Sequence, residues 1–191
     1  FARLTVEPLG DASAKELAEG LAGSFGINWN SDLSDRLFAL IGAPVPYFIH
    51  VFFAQLGQMP ASGKNSMTVT DLNRVYVEAV LGPTCRHYFG HYSSRLKRYG
   101  SAGEKASMAM LRAVAGHGRV SRLALYDAYR KSRGRTATEM EFDDLLASLE
   151  YDWYLRLDPD TNEYYFRLKL MEEWWKRLYP LAASKAKVRT R

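Results

Sequence analysis

The chain of 191 residues predicts a mainly α fold in two parts. A helical bundle comes first, and a winged helix-turn-helix domain with a small β-hairpin wing follows. Three observations predict this. Apolar residues recur at helical spacing through most of the first 151 positions. A short glycine-rich stretch, Gly100-Ser-Ala-Gly103, interrupts them and marks a boundary. Beyond it, three helical segments lead into Tyr154-Leu-Arg-Leu-Asp-Pro-Asp-Thr-Asn-Glu-Tyr-Tyr-Phe-Arg-Leu168, two strands around a polar turn. Helix, helix, helix, hairpin is the order of a winged helix. The expected divisions are a strand at 1–10, the bundle at 11–99, a linker at 100–103, the winged helix at 104–179 and a basic tail at 180–191.

Each element has its own signal. Arg3-Leu-Thr-Val-Glu-Pro8 alternates and ends at proline, as a short strand does. Its backbone needs a partner strand, supplied by a sheet upstream of Phe1 or by another chain. Ser13-Ala-Lys-Glu16 fits a capping box that opens a helix to about Phe25. From Ser31 to Ile41, Leu33, Leu37, Leu40 and Ile41 share a face, and Gly42 supplies a stop. Pro44 to Leu56 is an apolar helix with a proline-rich start. Gly57 to Ser66 reads as an exposed loop. Thr70 and Asp71 cap a helix to Leu81, and another runs from about Pro83 to Tyr99. The later helices are expected at Glu104–Ala115, Ser121–Lys131 and Ala137–Tyr151, with a short aromatic one at Met171–Tyr179.

Composition narrows the function classes. Hydrophobic content of 47% and charged content of 25% are ordinary for a globular protein. Much of the net charge of +5 sits in Lys185, Lys187, Arg189 and Arg191. The single Cys85 has no internal disulfide partner and suits a reducing compartment. No apolar run is long enough to cross a bilayer, and no signal peptide is evident at Phe1. A cytoplasmic protein without a membrane partner is expected. The absence of an initial Met points to a piece of something longer.

The chemistry-bearing motifs are few. His87 and His91 lie four apart on a helix and face one side, as metal ligands can. Tyr88 stands where a metalloprotease helix needs Glu, and no third ligand is near, so packed histidines and no metal are expected. Asp143 and Asp144 are neighbours about 100° apart, poorly placed as an acid–base pair. A phosphate-binding loop, a nucleophile elbow and a cysteine pair are all missing. No catalytic residue is therefore assigned, and the isolated chain is expected not to be an enzyme.

Charge is sorted along the second part. Arg119, Arg122, Arg130, Lys131, Arg133 and Arg135 face a single acid, Asp127. Glu139-Met-Glu-Phe-Asp-Asp-Leu-Leu-Ala-Ser-Leu-Glu-Tyr-Asp152, the segment that would enter a DNA groove, carries six acids and no base. Phosphates repel carboxylates, so a protein partner is expected at 139–152. The rings of Trp153, Trp174, Trp175 and their tyrosine neighbours are expected to pack the hairpin onto the helices.

Motif order adds a resemblance. Val6-Glu-Pro-Leu-Gly-Asp-Ala-Ser-Ala-Lys-Glu-Leu17 is followed by Gly42-Ala-Pro-Val-Pro-Tyr-Phe-Ile-His50. Then come Val69-Thr-Asp-Leu-Asn-Arg-Val-Tyr76 and His91-Tyr-Ser-Ser-Arg-Leu-Lys-Arg-Tyr99. Leu149-Glu-Tyr-Asp-Trp-Tyr-Leu155, Tyr164-Tyr-Phe166 and Trp174-Trp175 close the series. In order and spacing, nearly the whole chain resembles the C-terminal part of prokaryotic predicted ATPases of the AAA/STAND type. There a P-loop core precedes a helical lid and a winged helix. His50 and Trp153 depart from the family's usual Gln and Gly. The resemblance implies a regulatory region whose lid closes over nucleotide, with Gly42, Pro44, Pro46 and Tyr47 approaching it. ATP and Mg²⁺ would belong to the parent protein, and the P-loop core would be a partner in cis or in trans. The alternative is a DNA-binding module that uses Arg119, Arg122, Arg130, Lys131, Arg133 and Arg135, with Arg156 and Arg167 from the wing.

Overall fold

The computed structural model describes residues 8–180. The strand expected near Arg3 and the basic tail from Leu181 onward lie outside them. The described residues are mainly helical, with a small three-stranded antiparallel sheet. They form two compact units, one reaching Lys97 and reclaiming Arg167–Met171, the other holding Arg98–Phe166 and the chain from Glu172.

The first unit runs α1 (Asp11–Phe25), α2 (Ser31–Ile41), α3 (Pro46–Leu56), α4 (Ala61–Asn65) and α5 (Val69–Val75). A π-helical turn at Tyr76–Val80 continues α5, and a 3₁₀ turn at Pro83–Cys85 leads to α6 (Arg86–Arg95). Helix α3 is apolar on most sides, so it must be enclosed rather than laid on a surface. Phe48, Ile49, Phe52, Phe53 and Leu56 are all fully buried. Trp29 covers Phe53 at 4.9 Å between ring centroids and donates its Nε1–H to Ser34 Oγ at 2.8 Å.

Local chemistry moves several expected boundaries. Helix α1 starts at Asp11, behind Gly10, with no side-chain cap, so Ser13 is an interior residue. Asn30 caps α2 by accepting from the Leu33 N–H at 3.0 Å. Thr68, not Thr70, caps α5, and Asp71 returns a bond to the Thr68 N–H. The expected loop at 57–66 contains the single-turn helix α4.

The second unit runs α7 (Gly100–His117), β1 (Arg119–Ser121), α8 (Arg122–Arg133), α9 (Glu139–Tyr151), β2 (Leu155–Asp158) and β3 (Glu163–Phe166). Helix α10 (Lys169–Leu178) starts on residues of the first unit and ends in the second. Gly100-Ser-Ala-Gly103, expected as a linker, is the first turn of α7. Strand β1 has no counterpart among the sequence expectations. It pairs antiparallel with β3, giving the order β1-β3-β2, with Val120 opposite Tyr164 and Leu157 on the other side of Tyr164. Ser121 ends β1 and caps α8, its Oγ accepting from the Ala124 N–H. Thr138 caps α9 in the same way through the Glu141 N–H.

Helix α9 ends in a Schellman arrangement. The Tyr154 N–H reaches the Leu149 carbonyl at 3.0 Å and the Trp153 N–H reaches Glu150 at 3.1 Å. That closure needs a left-handed residue, and Trp153 takes it with φ of 69°. Trp175 fills the unit's centre between Tyr154, Phe166 and Trp174. No single helix among the described residues is long and apolar enough to cross a membrane.

Candidate functional site

Half of the basic cluster is consumed inside the second unit. Helix packing directs one side of α8 at α9, where bases meet acids. Arg122 pairs with Asp143 and with Glu139, and its guanidinium lies over the Phe142 ring at 5.1 Å. Arg133 bonds Glu141 at 3.1 Å, and the Tyr129 hydroxyl donates to the same carboxylate at 3.2 Å. The Arg133 bond, with help from Thr138 and Tyr129, holds the Glu141 carboxyl below the usual carboxylate range. Arg119 pairs with Asp158 on the hairpin and lies over Tyr165. That pairing, with the Asp160 N–H, lowers the Asp158 pKa.

The other predicted cations are placed differently. Lys131 and Arg135 are exposed and make no ion pair among the described residues. Arg130 is exposed with its guanidinium 5.8 Å from the Tyr126 ring centroid. Arg156 is exposed on β2, opposite Tyr165. Arg167 directly follows β3 and is grouped with the first unit.

Helix α9 turns a face without cations outward. Met140 is 74% and Tyr151 68% exposed, and Asp144 and Ala147 lie between them on the same stripe. Leu123 on α8 is 69% exposed. These three are the most exposed large apolar side chains of the described residues. The other side of α9 buries Phe142, Leu145, Leu146 and Leu149. Asp152, just past the helix, is buried and bound by Arg98 and the Tyr99 hydroxyl. The sequence held a faint signal for this site: an acid at a helix end, and an Arg-Tyr pair at the start of the unit.

Two cavities flank these helices. One of about 330 Å³ lies among Tyr99, Tyr129, Arg133, Glu141, Asp144 and Ser148. Arg133 Nε is buried without a partner. The other, a groove of about 570 Å³, runs between α7 and α8. Its floor includes Ala109, Ala113, Ala124 and Ala128, and Arg112, His117 and Lys131 stand along it. Arg130 and Arg135 extend its basic end around Asp127.

The residues expected near nucleotide lie in the first unit. Gly42 ends α2 with φ of 90°, and a Cβ there would stand 2.6 Å from the Lys169 backbone nitrogen. Only glycine meets both demands. The Pro44 carbonyl accepts from the Leu9 N–H at 3.0 Å, and Pro46 is the first residue of α3. Tyr47 is 42% exposed, its ring set edge-on to Phe48, Tyr88 and His91. Partial burial, then Tyr88 and Cys85, raise its pKa. His87 lies against Tyr88, and His91 against Tyr92. No group of three or more His, Cys, Asp or Glu able to hold a metal occurs among the described residues. The sequence matches no family model, and no curated protein is significantly similar to it.

Proposed function

We propose that the chain is a non-catalytic interaction and regulatory region working with a P-loop ATPase core. The first unit would serve as the lid and the second as a winged helix. The element order helix, strand, helix, helix, hairpin and the sheet order β1-β3-β2 support the winged-helix reading. The tightly turned Gly42–Tyr47 segment, half-buried between its exposed ends, suits a lid edge that meets nucleotide held by the core, with ATP and Mg²⁺ bound outside this chain. Binding one nucleotide state more tightly than another would then move the winged helix.

One observation carries the mode of action. The outward stripe of α9, the recognition position of a winged helix, is Met140, Asp144, Ala147 and Tyr151. It offers apolar surface and negative charge, and the nearby Arg122 and Arg133 are bound to α9's own acids. Such a face suits protein and repels phosphate.

Titration of labelled duplexes tests this. The expected result is sequence-independent binding no tighter than about 10⁻⁶ M at physiological salt. Sequence-specific binding near 10⁻⁸ M, lost in Lys131→Ala/Arg135→Ala, would establish the DNA-binding alternative. The ATPase link is tested by isolating the native protein from its source. A P-loop core in the same polypeptide, or co-purifying with it, is expected, and its absence overturns that part.

A further inference from the structure

Helix α8 divides the second unit's charge between two sides. At 100° per residue, Arg122, Tyr126, Tyr129 and Arg133 fall within about 60° of one another. All four reach α9, the arginines through ion pairs, the tyrosines through ring contacts with Phe142 and, for Tyr129, a hydroxyl bond to Glu141. Ala124, Asp127, Ala128 and Lys131 lie diametrically across and line the 570 Å³ groove against α7. One side is thus an acidic helix backed by neutralised bases. The other is a groove with Arg112, Lys131, Arg130 and Arg135 against the single acid Asp127.

The two surfaces are complementary in charge and in form. The ridge on α9 is convex, carrying Met140 and Asp144 outward, and four acids lie in the helix's first six residues. The groove is concave, alanine-floored and basic. A Met side chain needs an apolar pocket, and a carboxylate beside it needs a cation at the rim. Because ridge and groove lie on opposite sides of α8, a folded unit cannot seat its own ridge in its own groove. The partner that matches both is another copy.

We propose that the second unit self-associates head to tail, the α9 ridge of one copy seated in the α7–α8 groove of the next. This deepens the protein-contact reading, on which it rests, by naming the partner. The contact is heterologous, so it leaves one ridge and one groove open at the ends of every open assembly. Lys131 and Arg135 would pair with Asp144, whose neighbours Glu139, Glu141 and Asp143 are already held by Arg122 and Arg133, and Met140 would enter between Ala113 and Ala124. Charge steering makes such a contact salt-sensitive.

The test is analytical ultracentrifugation of the full chain and two variants. One, Met140→Lys/Asp144→Lys, spoils the ridge and keeps the groove. The other, Lys131→Ser/Arg135→Ser, removes the groove's cations without making it attractive to a lysine ridge, and keeps its own ridge. All four positions are exposed, and unchanged thermal melting serves as the folding control. The wild type should gain mass with concentration at about 50 mM salt and lose it at about 500 mM. Each variant alone should associate at least about tenfold more weakly. An equimolar mixture should recover a 1:1 dimer and stop there, because only one intact ridge–groove pair remains. A mixture that stays monomeric overturns the proposal, as does a wild type that stays monomeric at low salt. If duplex binding is also only weak and sequence-independent, the protein-contact reading stands with a different partner. Sequence-specific duplex binding that needs Lys131 and Arg135 overturns both.

Discussion

A Cβ on residue 82 would stand 1.9 Å from the Glu78 carbonyl oxygen, closer than any real contact. Gly82 lies just past the π-helical turn at Tyr76–Val80, which contains Glu78, and its N–H bonds the Ala79 carbonyl. Gly82→Ala should therefore cost about 3 kcal/mol in a denaturant titration, although its φ is ordinary. Trp153 presents the reverse case, a bulky residue in the left-handed region. Glycine and alanine there would both remove the ring, but only glycine relieves the backbone. Trp153→Gly should be more stable than Trp153→Ala by about 1 kcal/mol, measured by the same titration. His91 titrates in a third way. Burial, then the Arg95 charge, lowers its pKa from 6.5. The unfolded chain takes the proton more readily, so stability present above about pH 6.5 is lost as pH falls toward the folded value. Urea midpoints at about pH 7.5 and about pH 5.5 should differ more in the wild type than in His91→Gln.

Elements were legible where a long period repeated and obscure where three residues had to decide. Helices α2, α3, α8 and α9 and the hairpin follow from apolar spacing and from turn residues, α2 with both ends as expected and the other helices with ends displaced by at most two positions. Strand β1 escaped because only Val120 points inward, too short a run for alternation to register. The glycines of 100–103 read as a break, yet Gly103 faces Tyr99 at a distance that a Cβ would reduce to 2.8 Å, so packing outweighs propensity there. Caps were misplaced when two candidates adjoined. Thr68 and Thr70 both precede the α5 pattern, and only geometry assigns the bond to Thr68. Thr68→Ala should cost about 1 kcal/mol and Thr70→Ala a few tenths, read from thermal unfolding. The candidate site was half legible. Charge sorting showed in the sequence, but the pairing of Arg122 with Asp143 spans 21 residues and appears only when α8 packs on α9.

At the scale of the whole chain, the units are compact in space but not in sequence. Residues 167–171 return to the first unit, where Leu168, Leu170 and Met171 are buried. A chain cut after Lys97 lacks these side chains and should expose apolar surface. Its urea midpoint should fall below that of the same transition in the intact protein, or the fragment should aggregate. Gly42 links this return to the expected nucleotide edge, since its turn rests directly on the Lys169 backbone. During synthesis, the bundle begun at residue 11 remains unfinished until Met171 has emerged from the ribosome. The second unit waits only a few residues longer, for Trp174 and Trp175, so both units are completed by the same late helix and neither can finish folding until nearly the whole described chain has been made.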